Sequence, residues 1–207
     1  MKILNKNQIV KDVEGIKVID NFFTNECLQA LRYRMLFSKY YDRKYEGYVA
    51  TDYYPTKDLL TDLIVNEIEN KFDLPKFLRA WSFLYTENNE GVPFHCDSSI
   101  KTFNTWVSLD ESVLDSEKNG LHIYKITPPD NWTINEWNGD KEKSLEYIKS
   151  KKIDPIKISY KSNRAILFDG SYFHKTNGVS MKEGFENMRI SYTLLFGNGL
   201  EQTMESK

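Results

Sequence analysis

The chain has little cysteine. Its 207 residues include two, Cys27 and Cys96, far apart in the sequence. That excludes a disulfide framework, and a reducing, cytoplasmic setting is expected. Long apolar runs are missing too. No stretch approaches the roughly 18 apolar residues of a membrane span, and the opening MKILNKNQIVKDVEG does not read as a signal peptide. No membrane partner is expected. Neither sign of charge dominates: 28 basic residues face 30 acidic ones, for a formal net charge of −2. With no sustained basic block, no nucleic-acid partner is expected either. The lysines at 141, 143, 149, 151 and 152 are interrupted by Glu142 and Glu146 and read as a solvated face. Repeats, low-complexity tracts, Gly/Ser linkers, a Gly-rich phosphate loop and a G-x-S-x-G elbow are all absent.

Aromatic residues are plentiful, with 13 Tyr and 12 Phe in a chain that is 40% hydrophobic. Such a chain can bury one sizeable core, and a single domain over residues 1–207 is expected. Residues 15–22 read as a short strand. Thr24 then offers a helix N-cap, and Leu28, Leu31 and Met35 follow at helical spacing. A second helix is expected from Pro55 or Thr56, with a stripe of Leu60, Ile64 and Ile68 widened by Leu63, ending before Pro75. Beyond it the texture turns to short runs of β-branched and aromatic residues at 81–85, 102–109, 121–126, 156–160, 165–168 and 189–196. Successive short strands point to a sandwich or jelly roll with helices packed on one side. The expected layout is helical support over about 15–78 and a β core over about 79–197. Residues 127–152, with two prolines, two tryptophans and a short helix near 145–148, are too long for a hairpin turn. They form either a lid or a surface insertion with its own apolar patch. The tyrosines at 40, 41, 45, 48, 53 and 54, with Trp132 and Trp137, either line an entrance or pack in the ordinary way.

Chemistry concentrates at Pro93-Phe94-His95-Cys96-Asp97. On an extended backbone His95 and Asp97 project to one side and Cys96 to the other. A third ligand must come from elsewhere, and His174, just beyond the strand-and-turn segment 166–173, is a candidate. Two imidazoles and a carboxylate make the facial triad that suits Fe(II) and leaves positions open. Each element also has a plainer reading: an H-x-D tripeptide occurs by chance, and a His after a strand is often just a satisfied polar residue. His122 is read as a packing or pocket-wall residue, and Cys96 as a buried thiol. In the last strand Arg189, Ser191 and Thr193 share one face, and Ile190, Tyr192, Leu194 and Phe196 the other. The polar face would line a cavity where the guanidinium, helped by Ser191, binds a carboxylate. Alternatively, Arg189 pairs with an internal acid or points to water.

In this order, His95-x-Asp97, His174 and Arg189-x-Ser191 resemble the 2-oxoglutarate/Fe(II)-dependent dioxygenase superfamily, and within it the prolyl-4-hydroxylase-like branch. Residues 18–22 followed by a helix look like that branch's N-terminal start. Tyr85, ten residues before His95, matches a tyrosine ahead of its H-x-D, and residues 163–168 look like the strand leading to the distal His. The likeness spans roughly residues 15–197. It implies a mostly β protein with flanking helices (α+β) around a double-stranded β-helix core of jelly-roll or cupin type. It further implies that His95, Asp97 and His174 hold Fe(II) as the catalytic centre, with Arg189, Ser191 and Tyr85 meeting 2-oxoglutarate. The implied reaction uses O2 to hydroxylate a peptidyl or free amino acid, or a small molecule, giving succinate and CO2. Two departures are the long spacing to Arg189, through residues 175–187, and the 127–152 segment. The competing expectations are a cupin-like metal enzyme or ligand binder that does not use 2-oxoglutarate, and a non-catalytic binding module on the same fold.

Overall fold

The computed structural model describes residues 2–53 and 58–198. Its elements run β1 (Ile9–Val13), β2 (Ile16–Asp20), α1 (Asn25–Leu36), β3 (Arg43–Tyr45), β4 (Tyr48–Tyr53), α2 (Leu59–Lys71), β5 (Phe77–Tyr85), β6 (Ser99–Trp106), β7 (Leu121–Tyr124), α3 (Lys141–Lys151), β8 (Ile156–Ile158), β9 (Ala165–Asp169), β10 (Phe173–Thr176) and β11 (Arg189–Asn198). Both early helices begin at capping side chains. Thr24 accepts from the Cys27 N–H, and Asp58 accepts from the Leu60 N–H. The expected starts of the second helix, Pro55 and Thr56, lie outside the described residues. That helix ends at Lys71, ahead of Pro75. Its buried stripe is Thr61, Ile64, Val65 and Ile68, whereas Leu63 is 40% exposed.

The strands form two antiparallel sheets. The larger runs β1-β2-β9-β6-β11-β5-β4-β3, and the smaller β10-β7-β8. The expected double-stranded β-helix, jelly-roll core is therefore corrected. Among the described residues neither sheet closes into a barrel, so the class is mixed α/β with two open antiparallel sheets. The physical reason is unequal growth. The β1–β2 pair and the tyrosine-rich β3–β4 hairpin extend the larger sheet at both edges to eight strands, while the smaller sheet stops at three. β1, β3 and β4 were not expected as strands, because β1 and β3 are short and their faces are mostly exposed or half-buried.

Alternation along β11 divides the interior. Ile190, Tyr192, Leu194 and Phe196 are fully buried against α1 and α2, with Cys27, Leu31, Met35, Ile64 and Ile68. The opposite faces of β6 and β9 meet the smaller sheet, where Trp106, Ile166 and Phe168 pack on Leu121, Ile123, Ile156 and Ile158. An ion pair closes the β2–β9 junction: Arg164 Nε and Nη2 donate to the two oxygens of Asp20 at 2.6 and 3.1 Å, and Lys161 adds a third bond at 3.0 Å. Burial alone would raise the Asp20 carboxyl, but the bonds from Arg164 and Lys161 outweigh it and hold it below its usual value. Among the described residues no helix is long and apolar enough to cross a membrane.

Candidate metal centre and its cavity

Residues 93–97 run extended beside β10. The His95 N–H donates to the His174 carbonyl at 3.0 Å, and the His174 N–H returns the bond to the His95 carbonyl at 2.9 Å. Two residues on, the Asp97 N–H donates to the Gly170 carbonyl at 2.8 Å. Gly170 is needed there: a Cβ would stand 2.1 Å from Ser99 Oγ and 2.6 Å from the Ser99 carbonyl oxygen, too close for any side chain. This pairing brings His95, Asp97 and His174 together, with one ligand atom from each within 4.8 Å of the others. His174 Nε2 lies 3.5 Å from Asp97 Oδ2.

The surroundings fix how each ligand presents itself. His95 Nδ1 is 2.7 Å from the Pro93 carbonyl and His174 Nδ1 is 2.9 Å from the Tyr172 carbonyl. A carbonyl can only accept, so both Nδ1 atoms carry the proton and both Nε2 atoms present a lone pair. Thr102 donates to Asp97 Oδ2 at 2.6 Å. Burial, then the neighbouring His95, push the His174 pKa down to about 4, against the opposing pull of Asp97. The imidazole is thus neutral and ready to ligate at pH 7. Because the folded state resists its protonation, this contribution to stability is complete above about pH 6.5 and is lost as pH falls towards 4. We expect the metal-free protein to lose about 2 kcal/mol between pH 7 and pH 5 on this account. In His174→Gln that part of the loss should vanish. Denaturant titrations at the two pH values measure it, and equal pH dependence in both proteins would contradict the assignment.

The other side of the strand is dry. Cys96 is fully buried with Phe173, Tyr124, Trp137 and Ile148, and Phe94 and Trp132 pack against the same cluster. Burial, with Asp97 and Asp169 nearby, raises the Cys96 thiol well above its usual value, so it is inert. Trp137 and Ile148 belong to the 127–152 segment, which in this structure packs behind the triad. Lys141, at the start of α3, also reaches an outer cleft shared with Tyr45, Tyr48, Gly91 and Pro93. His122 lies on β7 one residue from Leu121 and so faces away from the cavity.

His95, Asp97 and His174 line a cavity between the sheets together with Tyr85, Ser191, Thr193, Trp81, Asn104, Leu121 and Thr176. Arg189 stands at its end. The guanidinium lies 4.6 Å from the centre of the Tyr85 ring and 6.0 Å from those of Trp106 and Tyr160. It is 1% exposed. Nη2 donates to the Asn119 carbonyl at 3.2 Å, while Nε and Nη1 have no partner. The Tyr85 hydroxyl and Trp106 Nε1 are also buried without partners. One end of the cavity therefore gathers polar hydrogens with nothing to accept them, which suits a carboxylate.

Of the six residues singled out from sequence, five line one cavity and Arg189 stacks on one of them. Thr102, Trp106 and the carbonyls of Pro93 and Tyr172 were missed. Thr102 and Trp106 had a signal: with Asn104 they form one face of β6, alternating with the buried Phe103 and Thr105.

No protein family matches the chain in sequence, and no curated protein does. Solved structures do match in fold. HygX from Streptomyces hygroscopicus, bound to nickel and 2-oxoglutarate, superposes with a TM-score of 0.60 at 12% identity, over 92% of this chain and 84% of that one. SnoN, a non-heme alpha-ketoglutarate-dependent epimerase from nogalamycin biosynthesis, gives 0.59 at 10%, over 88% and 78%. A Pseudomonas putida prolyl-4-hydroxylase gives 0.56 at 12%, over 89% and 92%. At these identities the likeness is one of fold.

Proposed function

We propose that this chain is an Fe(II)- and 2-oxoglutarate-dependent oxygenase that hydroxylates a peptidyl or free amino acid, or a small molecule, releasing succinate and CO2. One observation carries the reading: the cluster of two histidines and an aspartate and a buried, acceptor-free group of donors lie at two ends of the same cavity. The donor set of two imidazoles and a carboxylate, without sulfur, fits Fe(II). When bound, the iron supplies the redox chemistry that couples decarboxylation of 2-oxoglutarate by O2 to oxidation of a C–H bond.

The chain's own residues bind and orient. Backbone carbonyls hold both imidazoles with Nε2 inward, and Thr102 holds the carboxylate. Arg189 would receive the far carboxylate of 2-oxoglutarate, with Tyr85, Trp106 and Ser191 completing its shell. The buried rings of Trp106 and Tyr160, stacked 5.0 Å apart beside Arg189, keep bulk water from this end. Among the relatives in fold, HygX and SnoN are described with the same co-substrate. We place the chain nearest the prolyl-4-hydroxylase-like branch, on the 18–22 start, Tyr85 and the 163–168 strand. A metal enzyme or binder without 2-oxoglutarate would leave the unpaired nitrogens of Arg189 unexplained.

The test is an anaerobic titration of metal-free protein with Fe(II) and then 2-oxoglutarate. A weak visible charge-transfer band that requires protein, iron and keto acid together is the expected result. Iron that is not retained, or a spectrum indifferent to the keto acid, would overturn the proposal.

A further inference from the structure

If 2-oxoglutarate occupies the Arg189 end, two buried polar atoms of the same cavity remain unmet: Trp81 Nε1 and Asn104 Oδ1. They belong to one transverse row of the larger sheet, since Thr193 pairs with Trp81 on one side and with Asn104 on the other. Tyr85 and Arg189 form a row four residues away, roughly 13 Å along the strands. Thr102, which holds Asp97, is only two residues from Asn104, roughly 7 Å. The unmet pair therefore sits at the metal end of the cavity, away from the co-substrate's far carboxylate. Trp81 is 8% exposed, and buried groups of this kind are seldom left unpaired.

The chemistry of the wall narrows what could meet them. Apart from the triad, and Arg189 at the far end, no described side chain lining this cavity carries a formal charge; outside the lining, the Arg79 guanidinium lies 4.9 Å from the centre of the Trp81 ring. A carboxylate has no hydrogen to donate to an acceptor, and an ammonium has no lone pair to accept from a donor, so neither can meet both atoms. Trp81 is a fixed donor, since indole N–H can only donate. Asn104 presents an acceptor, because its amide nitrogen points to Thr193 Oγ1 at 3.4 Å. An amide carries one fixed acceptor and one fixed donor, and no charge.

We propose that the primary substrate enters as a neutral amide, its carbonyl accepting from Trp81 Nε1–H and its N–H donating to Asn104 Oδ1. Trp81 and Asn104 thereby determine specificity at the metal end. The inference rests on the oxygenase reading above, and the test separates the two. The charge-transfer band is recorded first. Its absence in the wild type overturns the oxygenase reading and this inference with it. With the band present, nitric oxide is added anaerobically to the iron–2-oxoglutarate complex, and its high-spin iron–nitrosyl electron spin resonance is titrated with N-acetylalanine methylamide. Glycerol, butylammonium and butyrate serve as the hydroxyl, cationic and anionic counterparts. The amide is expected to change the line shape at the lowest concentration of the four. Trp81→Phe and Asn104→Leu should keep the charge-transfer band yet need about tenfold more amide, what one hydrogen bond between neutral groups is worth. An amide without effect on the wild type, variants that titrate like the wild type (the two atoms then merely hold water), or a charged probe acting first would each overturn the inference.

Discussion

Asp97→Ala is expected to lose Fe(II) affinity on the order of 100-fold or more while keeping its fold. Partners that only orient a ligand are commonly worth 10- to 100-fold (roughly), so a ligand itself is worth at least as much. Asp97 is the only anion in the triad, and removing it leaves two neutral imidazoles that cannot offset the charge of the ion. Folding has less at stake. The bond from residue 97 to Gly170 is made by backbone and survives the substitution. Thr102 keeps its neighbour Ser99 Oγ at 3.1 Å. Iron retained after gel filtration, and competition with a chromogenic chelator, measure the loss. Thermal melting of the metal-free protein checks the fold. A variant that holds iron like the wild type would place the metal elsewhere.

Arg189→Met should act in the opposite sense on stability and on ligand. A buried cation with two unpaired nitrogens is a cost to the folded protein unless an anion meets it. Methionine fills comparable space beside Tyr85, Trp106 and Tyr160 without that cost. The ligand-free variant is therefore expected to melt at or above the wild type, even though it loses the bond to Asn119 and the stacking on Tyr85. Its affinity for 2-oxoglutarate should fall by about 100-fold, in line with the roughly 3 kcal/mol at stake when a buried charge pair is truncated. Iron binding should be unaffected. In the wild type, 2-oxoglutarate added with Fe(II) raises the melting temperature by mass action. In Arg189→Met only the part of that rise due to Fe(II) should remain at the same 2-oxoglutarate concentration. Pronounced destabilisation with normal 2-oxoglutarate binding would instead make Arg189 a structural residue.

The parts of the site that depend on local alternation were legible in the sequence. His95-x-Asp97 and Arg189-x-Ser191-x-Thr193 each put their polar members on one face, and pairing merely had to bring those faces together. The Thr24 cap, the α1 stripe and the division of β11 between cavity and helices were legible for the same reason. What escaped depends on contacts distant in sequence. β10 is only four residues long and carries no alternation that distinguishes it from a loop. β3 and β4 were hidden by their tyrosines, which read either as an entrance lining or as ordinary packing, and neither reading marks a hairpin. The eight-to-three division of strands follows from which edges stay open, and strand patterns do not encode that. Trp106 lies 83 residues from Arg189, so its unpaired N–H beside the guanidinium emerges only from the pairing of β6 with β11.

The backbone bonds between residues 95–97 and 170–174 have a consequence for which element the protein selects. They touch no metal, yet they set which side chains face inward. A slip of one residue along that pairing would turn His95 and Asp97 outward and bring Phe94 and Cys96 into the cavity. A thiolate in place of a carboxylate favours zinc over iron. Metal preference is thus tied to strand register, and the aromatic packing of Trp137, Phe173 and Phe94 around Cys96 favours the register observed.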